Sequence, residues 1–123
     1  MILTEVNRSR TFIQTREFSR KWDELGLNDD DLNKLENDLL ENLDHYPVVK
    51  GTGGLRKARI PVGDKGKSGG ARVCFVDFVL AETVYLITVY GKAEKDNLSK
   101  SERNDIKKAI ETLKSSLGGG NNE

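Results

Sequence analysis

Apolar residues recur every three or four positions in the first third of the chain, which is the repeat of a helix with one buried face. A first helix is predicted from about Thr15 to Leu25. A second is predicted to begin at Asn28 or Asp29, whose side chains can accept hydrogen bonds from the first amides of a helix. The buried stripe of this second helix is predicted to consist of Leu32, Leu35, Leu39 and Leu43. Pro47 marks the end of the helical region.

The second half of the chain is richer in β-branched and aromatic residues, which favour strands. Three strands are predicted, at residues 55–60, 71–80 and 83–90. Only Ala81 and Glu82 separate the last two, and this short connection predicts an antiparallel hairpin. A run at residues 10–14, with Phe12 pointing inward, predicts an additional N-terminal strand.

A final helix is indicated by Ser99-Lys100-Ser101-Glu102, which matches the capping box that opens a helix. This helix is predicted to end at Gly118. Its apolar stripe is predicted to be Ile106, Ala109, Ile110, Leu113 and Leu117.

These elements together predict an α+β fold. We expect a small antiparallel sheet, made of a three-strand meander and the N-terminal strand, to pack against two N-terminal helices and one C-terminal helix on one face. A single domain is expected over residues 1–117, followed by a disordered tail at residues 118–123.

The composition favours a cytoplasmic protein. A chain of 123 residues fits one domain. No run approaches the roughly 18 apolar residues of a membrane helix, and the N-terminus lacks the pattern of a secretory signal. The single cysteine, Cys74, excludes an internal disulfide and agrees with a reducing compartment. We therefore expect no contact with a membrane.

Charge is distributed unevenly along the chain, although the formal net charge is zero. Residues 23–44 contain nine acids and one base, a local charge of −8. Residues 50–72 contain seven bases and one acid, a local charge of +6. One surface can therefore attract a polyanion while the whole protein stays neutral. The simpler alternative is a solvated helix face and a solvated loop.

Several kinds of site are not supported. His45 is the only histidine and Cys74 the only cysteine, so no cluster offers a zinc site, and Cys74 is expected to be a packed side chain. Residues 66–68 have the Gly-Lys-Ser of a phosphate-binding P-loop, but Pro61 stands where that motif needs its first glycine. A predicted strand also follows, where the motif needs a helix. We expect neither a metal nor a cofactor.

The basic residues coincide with the predicted strands. Alternation along the first strand of the meander places Lys57 and Arg59 on one face and Arg56 on the other. Arg72 opens the second strand, and Lys92 follows the third. If the strands pair in order, Lys57, Arg59, Arg72 and Lys92 meet at one part of the sheet. Their mutual repulsion would favour a bound anion, and a polyphosphate backbone is the obvious candidate.

Three segments in the middle of the chain resemble the HigB-like branch of the RelE-type toxins. They read GTGGLRKAR at residues 51–59, GGARV at residues 69–73 and LITVYGK at residues 86–92. The resemblance implies a RelE-like fold and the toxin of a type II toxin–antitoxin system. It further implies a ribosome-dependent endoribonuclease that cleaves translated mRNA without a metal and so arrests growth. The implied partners are mRNA on the ribosome and a cognate helix-turn-helix antitoxin. The toxin is expected to be held at operator DNA only through this antitoxin.

The resemblance also implies the roles of individual residues. It assigns catalysis to Lys57, Arg59, Arg72, Lys92 and Tyr90. It assigns contacts with RNA or the ribosome to Arg56, Lys65, Lys67 and Lys95. RelE itself carries a catalytic tyrosine before its last helix, whereas residues 96–99 contain none. The general base is therefore left open, with Lys57 as one candidate. Lys92 or Tyr90 is the candidate proton donor, unless Tyr90 only packs against the final helix.

Two other functions stay open at this point. A ParE-like toxin shares the fold but inhibits DNA gyrase, and such toxins generally lack the basic set found here. A non-catalytic module that binds RNA or the ribosome would show a steep salt dependence and leave transcripts uncut.

Overall fold

A computed structural model describes residues 9–63 and 69–118 of the chain. The elements are β1 (Thr11–Gln14), α1 (Arg16–Glu24), α2 (Asp29–Asn42), β2 (Arg56–Ile60), β3 (Ala71–Phe78), β4 (Thr83–Gly91) and α3 (Lys100–Gly118). The predicted α+β class is confirmed, as is the order of the elements. Lys65, Lys67 and residues 119–123 of the predicted tail lie outside the described residues.

Each helix begins at a residue whose side chain caps it, as predicted for the second and third helices. Thr15 caps α1 with its side-chain oxygen. Asn28 caps α2: its side chain accepts a hydrogen bond from the amide of Asp31 (2.9 Å), and the Asp31 carboxylate accepts one from the amide of Asn28 (2.9 Å). Ser99 and Glu102 form the same reciprocal pair before α3. These caps satisfy amides that have no partner within the helix.

The four strands form one sheet in the order β1-β4-β3-β2. β2, β3 and β4 make the predicted antiparallel meander, but β1 pairs with β4 in parallel, so the sheet is mixed. Parallel neighbours need a long connection, and the chain between β1 and β4 contains two helices and two strands. The hairpin connection is longer than predicted, because β3 ends at Phe78 and a 3₁₀ turn (Val79–Ala81) with Glu82 at φ 50° follows.

Helices cover both faces of the sheet. α1 and α2 bury one face, and this first core includes Phe18, Trp22, Leu35, Leu39, Val73, Phe75 and Leu86. α3 packs on the opposite face, and this second core includes Leu55, Cys74, Val76, Ile87, Tyr90, Leu98 and Ile110. The expectation that all helices lie on one face is therefore wrong. The physical reason lies in β3, where residues 71–76 are all buried, as in a strand that is covered on both sides.

The buried stripe of α3 is narrower than the sequence predicts. Ile110 is buried, and Ile106 and Leu113 pack against the second core, whereas Ala109 and Leu117 are exposed. Within residues 9–63 and 69–118, no helix has the length and apolar character needed to cross a membrane.

Candidate functional site

The register of the meander decides which face each basic side chain occupies. Residues directly paired across an antiparallel ladder point to the same side of the sheet. Arg59 pairs with Arg72, which in turn pairs with Tyr90. Lys57 pairs with Cys74. These five residues lie on the sheet face that carries α3, and we call this surface the cationic face.

Lys92 lies directly after β4, at the end of the sheet. Its amide donates a hydrogen bond to the carbonyl of Gly70 (2.9 Å), so the ladder continues past the Ala71–Gly91 pair. Lys92 itself belongs to the turn that follows β4. Lys92 is exposed to solvent.

Arg72 is the buried cation of this face, with only 2% of its surface exposed. Its Nη2 lies 3.7 Å from Oδ1 of Asp96, whose side chain is 66% exposed. A buried guanidinium is costly unless acidic or polar groups compensate its lost hydration. The ion pair therefore joins a fixed cation to an acid that solvent can reach.

The chain between β4 and α3 supplies two further contacts. Nζ of Lys57 donates a hydrogen bond to Oδ1 of Asn97 (3.1 Å). Nζ of Lys95 bonds the Glu102 carboxylate and lies 5.2 Å from the centre of the Tyr90 ring, a cation–π distance. Two hydrogen bonds lower the pKa of Glu102. The larger effect comes from the hydrogen bond with Lys95, and the smaller comes from the backbone amide of Ser99.

Tyr90 and Cys74 are both neutral at physiological pH. The Tyr90 hydroxyl is buried and has no hydrogen-bond partner among the described residues. Burial raises the pKa of Tyr90, so the phenol stays protonated at neutral pH. Burial also raises the pKa of Cys74 to about 12, which keeps the thiol protonated. Cys74 is therefore a packing residue of the second core.

The structure does not bring Arg56 to the cationic face. Arg56 pairs with Phe75 and lies on the side of α1 and α2. Its Nη1 donates hydrogen bonds to the backbone carbonyls of Tyr46 and Asp44, the latter at 3.5 Å. Arg56 thus ties the segment after α2 to the sheet. Of the other predicted RNA contacts, Lys95 joins the face, and the remaining two lysines fall outside the described residues.

A pocket of about 220 Å³ adjoins the cationic face between α1 and α3. Its lining includes Glu17, Lys21, Thr88, Lys95, Glu102 and Asp105. Thr88 donates a hydrogen bond from Oγ1 to Oε2 of Glu17 (2.6 Å). Sequence reasoning missed Glu17, Thr88, Asp96 and Asn97, and it interpreted Glu102 only as a cap. The sequence could have indicated Thr88, because Thr88 lies two residues before Tyr90 on the same strand.

The uneven charge of the sequence separates across the sheet. The acid-rich segment forms α2 and its flanks, which pack on the face opposite the cationic face. The acidic segment therefore lies opposite Lys57, Arg59 and Arg72, whereas Arg56 of the basic segment lies on the same side as α2. Within the described residues, no group of three or more His, Cys, Asp or Glu side chains is arranged to hold a metal ion.

Fold and site together define a small α+β protein whose cationic sheet face suits a polyanionic ligand. A family model described as the RelE toxin of the RelE/RelB toxin–antitoxin system matches residues 9–117, and the chain belongs to this family. Among solved structures, the isolated Escherichia coli RelE toxin is similar, with a TM-score of 0.47 and 16% sequence identity over 85% of this chain and 99% of that one. The match to the family model confirms the resemblance to RelE-type toxins. Membership of this family makes an antitoxin the expected partner.

Proposed function

We propose that this chain is a HigB-like, ribosome-dependent endoribonuclease that cleaves translated mRNA. The observation that carries the proposal is the grouping of Lys57, Arg59 and Arg72 on one sheet face beside the buried, neutral Tyr90. Lys57 and Arg59 lie on β2, whereas Arg72 lies on β3 and Tyr90 on β4. The three strands must therefore pair to bring these side chains together. A polyphosphate is the ligand that such a group of cations favours.

The proposed reaction needs no side chain as nucleophile. The ribose 2′-hydroxyl loses its proton and attacks the adjacent phosphorus, the bond from phosphorus to the 5′-oxygen of the next nucleotide breaks, and that oxygen takes up a proton. The transition state carries extra negative charge on the phosphate oxygens. We assign the stabilisation of this charge to Arg72 and Arg59, and a preorganised donor of this kind typically contributes about 10²–10³ in rate.

Proton transfer is assigned to the neighbouring groups. Lys57 is the candidate base, and Tyr90 or Lys92 is the candidate acid for the leaving oxygen. Tyr90 is a candidate because its buried phenol stays protonated and so carries a proton to give. General acid–base catalysis contributes about 10²–10⁴ in rate. Positioning contributes several kcal/mol more, and we assign this part to the ribosome, which holds the mRNA in place.

The cellular setting follows from the same proposal. The toxin acts in the cytoplasm, without a metal, on mRNA bound to the ribosome. A helix-turn-helix antitoxin neutralises it, and the complex binds operator DNA through the antitoxin.

The test is mRNA cleavage by the purified full chain on translating ribosomes, with the new ends mapped. Arg72→Lys and Lys57→Met are compared with Lys34→Met, which removes an exposed charge from α2 on the other side of the sheet. We expect losses of about 100-fold for the first two variants and no change for the third. Circular dichroism checks that all three are folded.

Two outcomes would replace the proposal. Intact transcripts together with gyrase-dependent DNA breaks would indicate a ParE-like toxin. Intact transcripts together with salt-sensitive RNA binding would indicate a non-catalytic RNA-binding module.

A further inference from the structure

Three consecutive residues of the β4–α3 connection contact three different residues of the cationic face. Lys95 lies over Tyr90, Asp96 pairs with Arg72, and Asn97 accepts a hydrogen bond from Lys57. The last two contacts place side-chain oxygens against two cations. A phosphodiester also presents two unesterified oxygens, one of them formally charged. Asp96 and Asn97 therefore contact these two cations through oxygen atoms, as a phosphate group would.

We infer that Asp96 and Asn97 occupy the site of an RNA phosphate, and that they must withdraw from Arg72 and Lys57 when RNA binds. This inference rests on the proposed function, because it locates the substrate phosphate within the same site. It assigns one phosphate oxygen to Arg72 Nη2 and the other to Lys57 Nζ. It also makes residues 95–97 an internal competitor of the substrate.

The connection is anchored on both sides of these two residues. Before them, the amides of Glu94 and Lys95 donate to the carbonyl of Gly91 at 3.0 and 3.2 Å. After them, Leu98 is buried and its carbonyl accepts a hydrogen bond from Arg103 (2.7 Å). Asp96 and Asn97 are themselves exposed and belong to no helix or strand. Their side chains can therefore leave the cations without breaking β4 or α3.

The competition has a functional consequence. Away from the ribosome, RNA must displace Asp96 from Arg72. This competition weakens the binding of single-stranded RNA in solution. On the ribosome, a fixed mRNA has a high effective concentration at the site and can displace the same contacts. The internal competitor thus raises the dependence of the enzyme on the ribosome.

The inference is tested by the affinity of the full chain for a short single-stranded RNA methylated at every 2′-oxygen, so that it cannot be cleaved. Fluorescence anisotropy is measured at several salt concentrations for the wild type, Asp96→Asn and Asn97→Ala. The matched control is Glu94→Gln, which removes an exposed acid from the same connection. We expect Asp96→Asn to bind about two- to fivefold more tightly, because Asp96 is itself exposed and an ion pair screened by solvent contributes little.

The salt dependence gives a second readout. One additional cation available to RNA should steepen the slope of log affinity against log salt by about 0.7 for Asp96→Asn. Asn97→Ala should tighten binding without changing the charge of the protein. Glu94→Gln should leave the slope unchanged.

The inference is overturned if Asp96→Asn and Asn97→Ala bind RNA no more tightly than the wild type. It is also overturned if Glu94→Gln tightens binding equally, because the effect would then come from net charge. Wild-type cleavage on ribosomes, measured in parallel, reports on the proposed function separately. Cleavage with unchanged affinities would reject only the inference, whereas tighter binding without cleavage would reject only the nuclease.

Discussion

Arg59 and Arg72 are directly opposed across the β2–β3 ladder, with both side chains on the same face of the sheet. Arg72 is buried, whereas Arg59 is exposed. Like charges in this arrangement destabilise a sheet by up to about 1 kcal/mol. The Asp96 carboxylate, 3.7 Å from Arg72, offsets part of this repulsion.

Replacing Arg59 should make the protein more stable and less active. We expect Arg59→Gln to raise the free energy of unfolding by about 0.5 kcal/mol, because it removes the repulsion with Arg72. The same change should lower mRNA cleavage on ribosomes at least about tenfold. Urea denaturation and end mapping measure the two effects, with Lys34→Gln as the control. A less stable Arg59→Gln variant would show that the two arginines do not repel each other.

Replacing Tyr90 should likewise lower activity without lowering stability. Its hydroxyl is buried and has no partner among the described residues, so Tyr90→Phe should leave stability unchanged or raise it by about 1 kcal/mol. If Tyr90 donates the proton to the leaving oxygen, cleavage should fall by about 10²-fold or more. Lys92→Met, measured beside it, identifies the alternative donor. Wild-type cleavage by Tyr90→Phe would assign Tyr90 to packing alone.

Glu102 should make stability depend on pH in the acid range. Its pKa in the folded protein is lowered from the ordinary value of 4.5, chiefly by the hydrogen bond from Lys95. As the pH falls, the unfolded chain therefore binds a proton at this position before the folded chain does, and stability is lost.

We accordingly expect the wild type to exceed Glu102→Gln in stability above pH 4.5 and to lose this advantage as the pH falls below that value. Above that value, the difference should be about 1 kcal/mol, typical of a helix cap. Thermal unfolding from pH 3 to pH 7 measures it. A constant difference across this range would show that the carboxylate charge is not responsible.

Arg10 and Asp77 form a paired contact that ties the chain before β1 to β3. Nε and Nη2 of Arg10 donate to the two carboxylate oxygens of Asp77 at 2.8 and 3.2 Å, and the two side chains are only 12% and 11% exposed. Asp77→Asn should lower the free energy of unfolding by about 2 kcal/mol, because it leaves the arginine charge poorly compensated.

The control for this prediction is Glu24→Gln, which breaks an ion pair whose partners are 59% and 60% exposed. That change should cost no more than about 0.5 kcal/mol. Equal losses in the two variants would show that the burial of the Arg10 pair adds nothing to its strength.

Local patterns along the chain predicted the elements well. The caps at Asn28 and Ser99 were visible because capping depends on residues within four positions of each other. The grouping of Lys57 with Arg59 was visible for the same reason, since alternation along one strand is local. The contacts of Asp96 and Asn97 were not visible, because each joins residues more than 20 positions apart.

The sequence by itself determined where the helices begin, that the last two strands form an antiparallel hairpin, and that a basic segment lies apart from an acidic one. Only the tertiary structure decided that β1 joins the sheet in parallel, that α3 covers the face opposite α1 and α2, and that residues 95–97 lie over the cations. The physical reason is the range of the interactions. Capping and alternation act between near neighbours, whereas the choice of face and partner depends on which apolar surfaces can be buried together once the strands have paired.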